Sequence, residues 1–185
     1  MRMRSITKHL LLVFIVELSG IFLILLVAGY KGGLFNPVEL LHTTRGPYEI
    51  VYLSGSQFAG HLDEQIAQLS LMLQTKNIPP LSVCTIWYDV APAAKMANRG
   101  GFLLQEKIAL PEPYAVGTVA PREVIVARVK AHPDLAPLKT YPKMRAWMKL
   151  HRFQIAGPAL EIYGEDGTIE CEVPIQPIGN DAGAP

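Results

Sequence analysis

Cysteine is scarce in this sequence, and neither copy is placed for metal or redox chemistry. Cys84 and Cys171 are the only two, outside any CxxC pair or zinc-ligand spacing. Two buried thiols are the simplest reading; a single disulfide in an exported domain is the alternative. An excess of charge is lacking too. The 17 Lys and Arg against 16 Asp and Glu leave a formal net charge of +1, with no basic tract. Nothing electrostatic therefore points to nucleic acid as a partner. The histidines His9, His42, His61, His132 and His151 show neither metal spacing nor a Ser or Cys partner. That argues against a zinc site or a catalytic triad, and no metal or cofactor is expected. Low-complexity tracts and solenoid periods are absent as well.

What the chain has in excess is hydrophobicity at one address. Residues 10–29, LLLVFIVELSGIFLILLVAG, form an apolar run long enough to cross a bilayer, interrupted only by Glu17. A cleaved signal peptide is the competing reading, with VAG as its cleavage site. The run is longer than a usual signal core, which favours an uncleaved anchor. Arg2, Arg4 and Lys8 precede it, and after Lys31 no Lys or Arg follows until Arg45. This bias leaves the N-terminus in the cytosol and the rest on the far side, periplasmic or extracytoplasmic in a bacterium. The organisation expected is a basic segment 1–9, a membrane helix 10–29, a linker 30–36, one domain 37–176 and a flexible tail 177–185.

Within the domain the hydrophobic period switches twice in the same order. GPYEIVYL (46–53) alternates as a strand does, and SQFAGHLDEQIAQLSLMLQ then puts Phe58, Leu62, Ile66, Leu69 and Leu73 on one helical face, with Ser56 as N-cap. SVCTIWYDV (82–90) and GGFLLQEKI (100–108) follow as strands. The second half runs REVIVARVKA (122–131), then LKTYPKMRAWMKLH with Tyr141, Met144, Trp147 and Met148 facing a core. Pro142 belongs in the first turn of that helix, which makes Thr140 its N-cap. GPALEIYGEDGTIECEVPIQ (157–176) closes the chain as two strands. Halves 37–110 and 118–176 are each expected as strand, helix, strand, strand, with TIWYDV matching LEIYGE. Ile86 then corresponds to Glu161, and Tyr88 to Tyr163. The expected fold is α+β: duplicated βαββ halves in an antiparallel sheet, two helices on one face and a concave groove on the other.

Glu161 stands at the centre of its strand, sharing a face with Tyr163 while Leu160 and Ile162 take the opposite one. If the leucine and isoleucine meet the helices, Glu161 lies in the groove, flanked by Tyr163 and Tyr88. Trp87 and Trp147 are expected in the core. Tyr114, in the connection between halves, could cap the groove or pack the crossover. Asp89 reads as a strand end followed by a turn.

The stretches YEIVYLSGSQFAGHLDEQIAQL, VCTIWYDVAP, APLKTYPKMRAWM and GPALEIYGEDGTIECEVPI together resemble a GyrI-like (gyrase-inhibitor-like) effector-binding domain, the drug-sensing half of multidrug-responsive regulators of the MerR and AraC types. The resemblance spans residues 37–176. There is no helix-turn-helix, and an apolar helix stands where the regulators carry their DNA-binding domain, as in membrane-anchored GyrI-like proteins. The resemblance implies halves of the SHS2 type and a small-molecule ligand, cationic or amphipathic, with Glu161 attracting the cation. Tyr163, Tyr88, Ile86 and Tyr114 would line its site. It also implies an alternative, hydrolysis of electrophilic xenobiotics with Glu161 as base and Tyr114 or Tyr88 assisting, and a tethered protein-interaction domain is a third reading. Binding ranks first because it needs only the carboxylate and rings, whereas catalysis also needs positioned water. Intact-mass measurement of protein from membranes is expected to find residues 1–29 retained; a soluble chain starting near Tyr30 would establish cleavage.

Overall fold

The computed structural model describes residues 3–54, 62–87 and 98–179, with side chains from residue 14 onward. The chain divides into two compact units, residues 1–36 and 37–185. In the first, α1 (Met3–Lys31) is long and apolar enough to cross a membrane by length and composition. None of the residues from Phe14 to Lys31 is buried.

The second unit is mixed α+β. Its elements are β1 (Glu39–Arg45), β2 (Tyr48–Leu53), α2 (Leu62–Thr75), β3 (Ser82–Trp87), β4 (Arg99–Leu104), β5 (Tyr114–Val119), β6 (Arg122–Lys130), α3 (Ala136–His151), β7 (Phe153–Ile155), β8 (Ala159–Tyr163) and β9 (Thr168–Pro177). The strands form one nine-stranded antiparallel sheet in the order β1-β6-β9-β8-β3-β4-β2-β5, with β7 added to the end of β9. β1, β5 and β7 were not expected from the sequence; β1 and β5 are the two edges, and β7 has only three residues. The predicted start of the first helix at Ser56 and Phe58 lies outside the described residues.

α3 corrects one prediction. It begins at Ala136, and Pro137 takes the first-turn place that suits a residue without an N–H. Thr140 is therefore inside the helix, fully buried, its hydroxyl donating to the Ala136 carbonyl at 2.8 Å. Pro142 sits in the second turn. It denies a hydrogen bond to the carbonyl of Leu138, whose residue is 72% exposed, so water can serve that carbonyl.

Both faces of the sheet are buried. On one, Leu69, Met72 and Leu73 of α2 pack on Val51, Leu53 and Phe102, while Met144 and Met148 of α3 pack on Ala127, Ala159 and Cys171. On the other, Ile50, Cys84, Leu103 and Leu160 meet one another directly. Each fully buried aliphatic chain contributes about 1.5–3 kcal/mol. That second face closes because the sheet curls. The Tyr48 hydroxyl on β2 donates to Oε1 of Glu172 on β9 at 2.9 Å. Four strand steps separate the two strands, about 19 Å if the sheet were flat, more than these side chains can bridge.

Polar groups collect at this closure. Arg45 and Arg122 are cross-strand partners, and the Arg45 Nε lies 3.6 Å from Glu172 Oε1. Arg122 donates to the Pro158 carbonyl, and Arg45 and Arg128 both bond Glu170. Burial holds the Glu172 carboxyl above its ordinary range despite the nearby hydroxyl and guanidinium groups. Where a groove was expected, the face away from the helices is thus filled at its centre, and a hollow of about 510 Å³ remains beside Ser82, Arg128, Ile162 and Glu170. Cys84 and Cys171 project from opposite faces of the sheet, both thiols free and pushed up to about 12 by burial, so the disulfide alternative falls. Tyr48→Phe leaves a buried carboxylate oxygen without its donor and should cost about 1–3 kcal/mol in chemical denaturation.

Candidate ligand-binding cleft

β3 and β8 pair antiparallel with Thr85 directly opposite Glu161. Opposed residues of paired strands share a face. Val83, Thr85 and Trp87 therefore stand beside Ala159, Glu161 and Tyr163. The row continues outward to Gly100 on β4 and Cys171 on β9. This is the face that carries α2 and α3. Leu160 and Ile162, expected to meet the helices, belong to the closed interior instead.

Between the helices the face opens into a cleft of about 730 Å³. Leu62, Ile66 and Ser70 of α2 form one wall, and Pro133, Asp134 and Pro137 at the start of α3 form the other. Thr85, Trp87, Phe102, Glu161 and Tyr163 make the floor. Asp63 and Asp134 stand at the walls, and no Lys, Arg or His lines the cleft among the described residues.

Glu161 is 2% exposed, and hydroxyl groups hold its carboxylate. Tyr141 of α3 donates to Oε1 at 2.9 Å, and Tyr163 donates to Oε2 at 2.8 Å. The Thr85 hydroxyl lies 3.4 Å from Oε2 and 3.2 Å from the Tyr163 hydroxyl. Burial, and then the Glu161 charge, push the phenols of Tyr141 and Tyr163 well above the ordinary tyrosine value. Behind the carboxylate, the Thr140 hydroxyl lies 3.3 Å from the Cys171 sulfur. The indole Nε1 of Trp87 is buried and finds no acceptor among the described residues.

Of the residues singled out from the sequence, Glu161 and Tyr163 meet in this cleft. Ile86 does not, because it packs beside Cys84 and Leu160 on the inner face. The match of Ile86 with Glu161 is one residue out of register, since the two side chains lie on opposite faces. Tyr114 packs with the α2 core at the β5 edge, so it covers the crossover and does not cap the cleft. Tyr88 and Asp89 lie outside the described residues. Trp87, expected on the opposite face from Glu161, shares its face and lines the cleft. Trp147 is half-buried at the core's edge, stacked on His151 at 4.2 Å and Phe153 at 5.6 Å. Sequence reasoning missed Thr85 and the link from Tyr141 to Glu161. The parity of VCTIW could have yielded Thr85, had β3 been matched to β8 by face.

No protein-family model matches the chain, and no curated protein matches its sequence. Solved structures do. The EcmrR C-terminal domain aligns at TM-score 0.51 and 14% identity, covering 77% of this chain and 99% of that one. The fold is that of the EcmrR C-terminal domain. The EcmrR chain of an EcmrR–DNA complex aligns at TM-score 0.55 and 13% identity, over 87% of this chain. This chain spans 65% of that chain's length, under two thirds. A hydrolase from Listeria innocua aligns at TM-score 0.47 and 12% identity, over 75% of this chain and 91% of that one, too distant to bear on activity. The EcmrR likeness, one of fold alone, fits the GyrI-like fold expected from the sequence.

The two raised phenols have a consequence in alkali. Their ordinary value is 10.0 and the folded values lie above it. The unfolded chain therefore loses these protons first as pH rises. The stability they confer is complete below about pH 10 and declines above it. Denaturation curves from pH 8 to 12 should show this loss, and the double variant Tyr141→Phe, Tyr163→Phe should lessen it, leaving the share of Tyr48 and the Cys84 and Cys171 thiols.

Proposed function

We propose that this chain is a membrane-anchored effector-binding module that captures small cationic, partly aromatic molecules in the cleft between α2 and α3. The observation that carries the reading is Glu161: a carboxylate 2% exposed, at the floor of an open cleft and held by hydroxyls alone among the described groups that bond it. Hydroxyl dipoles orient the charge without cancelling it. A cation entering the cleft leaves water for Trp87, Phe102 and Tyr163, where Coulomb attraction to Glu161 is less screened and ring faces add about 0.5–2 kcal/mol. Asp63 and Asp134 draw the same charge toward the opening. The volume suits a drug-sized molecule.

Hydrolysis with Glu161 as base is the weaker reading. Both carboxylate oxygens already accept hydroxyls, and Tyr114 is away from the cleft. A protein-interaction role has no observation of its own.

The same proposal takes α1 as the anchor, its N-terminus cytosolic and the domain across the membrane. Length, composition and the positive charges before the run support it. It also takes residues 37–110 and 118–176 as duplicated halves. The strand order supports a duplication whose second half begins earlier, at β5: exchanging β1 with β5, β2 with β6, β3 with β8 and β4 with β9 turns the order into its own reverse.

Titration of wild type and Glu161→Gln with 10-methylacridinium at two salt concentrations tests the binding reading. The variant should lose about 1–3 kcal/mol of affinity, with the larger loss at low salt. Equal affinities would sink it. With three hydroxyls around the carboxylate, Glu161→Gln should also lower stability, so unfolding of the variant is measured in parallel.

A further inference from the structure

The geometry points to Gly100 and Gln65 as the residues that set which cations the cleft admits, by fixing its width. This rests on the binding reading above and adds a selectivity to it. Neither residue lines the cleft. Both act on its α2 wall.

Gly100 lies in the cross-strand row of the cleft floor, next to Thr85, which is next to Glu161. A methyl group at Gly100 would stand 3.1 Å from both Cγ1 and Cδ1 of Ile66 and 3.2 Å from the backbone carbonyl of Leu62. The first turn of α2 therefore rests directly on β4, at a distance only glycine permits without displacement. A flexible side chain could turn away; the Leu62 carbonyl is helix backbone and moves only with the helix.

Gln65 fastens the same contact. Ladder pairing of β4 with β2 is registered up to Tyr52 and Gly101 and stops there. One residue further, the Gly100 N–H donates to Oε1 of Gln65 at 3.0 Å. The Gln65 side chain is 1% exposed, so this bond is shielded from water. A core amide thus continues the sheet's hydrogen bonding into α2 and pins the helix where the glycine lets it descend.

Leu62 and Ile66, the residues touching Gly100, also form the cleft wall. The wall is seated over β4, two strand steps from the strand of Glu161, about 10 Å. An occupant paired with the carboxylate must lie over β3 within that span. A flat ring system fits edge-on; a cation carrying aryl groups in all directions meets Leu62 and Ile66.

The test compares two cations of equal charge, planar 10-methylacridinium and near-spherical tetraphenylphosphonium, on wild type, Gly100→Ala and Gln65→Met. Wild type should favour the planar cation. Gly100→Ala lifts the helix and Gln65→Met unpins it, so each should move the affinity ratio toward tetraphenylphosphonium by about tenfold, the scale of one methylene in an apolar pocket. Gln65→Met keeps the test decisive if Gly100→Ala does not fold. A wild type that prefers tetraphenylphosphonium, or a ratio unchanged in the folded variants, overturns this inference alone. A wild type that binds neither cation overturns the binding reading together with it.

Discussion

Curling the sheet until Tyr48 meets Glu172 decides where every polar group of the domain has to go. Once Ile50, Cys84, Leu103 and Leu160 are enclosed against one another, the centre of that face is filled. Strand alternation then assigns the rest. With Leu160 and Ile162 inside the curl, Glu161 and Tyr163 must face the helices. The cleft of about 730 Å³ lies where the two helices leave the sheet uncovered. The cleft follows from the closure on the other side.

Two carboxylates are therefore buried on opposite faces of one sheet, and their surroundings differ. Glu172 has Arg45 and Arg122 beside it, so its charge is met in kind. Glu161 is met by hydroxyls from Tyr141, Tyr163 and Thr85. Burying an ion is costly, and dipoles lower that cost without neutralising the charge. The first arrangement holds a fold together. The second leaves a field in an open cleft, which is what a binding site for a cation requires.

Much of this was legible in the sequence. The strand–helix–strand–strand order shows in the hydrophobic periods, because each helix has one apolar face and each strand a short run bounded by breakers. Glu161 stands out as a charge between aliphatic neighbours. Its direction does not, since alternation says that two faces differ and not which one meets the helices. When both faces are buried, as in LEIY, the pattern is silent. The one-residue error that set Ile86 against Glu161 has the same origin. The misplaced helix start came from reading Pro142 as the first-turn proline when Pro137 already filled that role. The edge strands β1 and β5 were missed because an edge is only half-packed and carries little hydrophobic signal.

The interlacing of the strands also governs how the domain can be made. β1, the first strand to leave the ribosome, pairs with β6 some eighty residues later, and β3 waits equally long for β8. β9, ending at Pro177, is clamped between β6 and β8. β2 and β4 find all their partners by Val119, but β1 and β3 cannot complete their ladders until the second half has emerged. Long-range pairing of this kind slows folding and leaves strand edges open in the meantime. Closure of the sheet should therefore come late, with the open edge of β3 and the unpaired β1 in need of protection until β8 and β6 arrive.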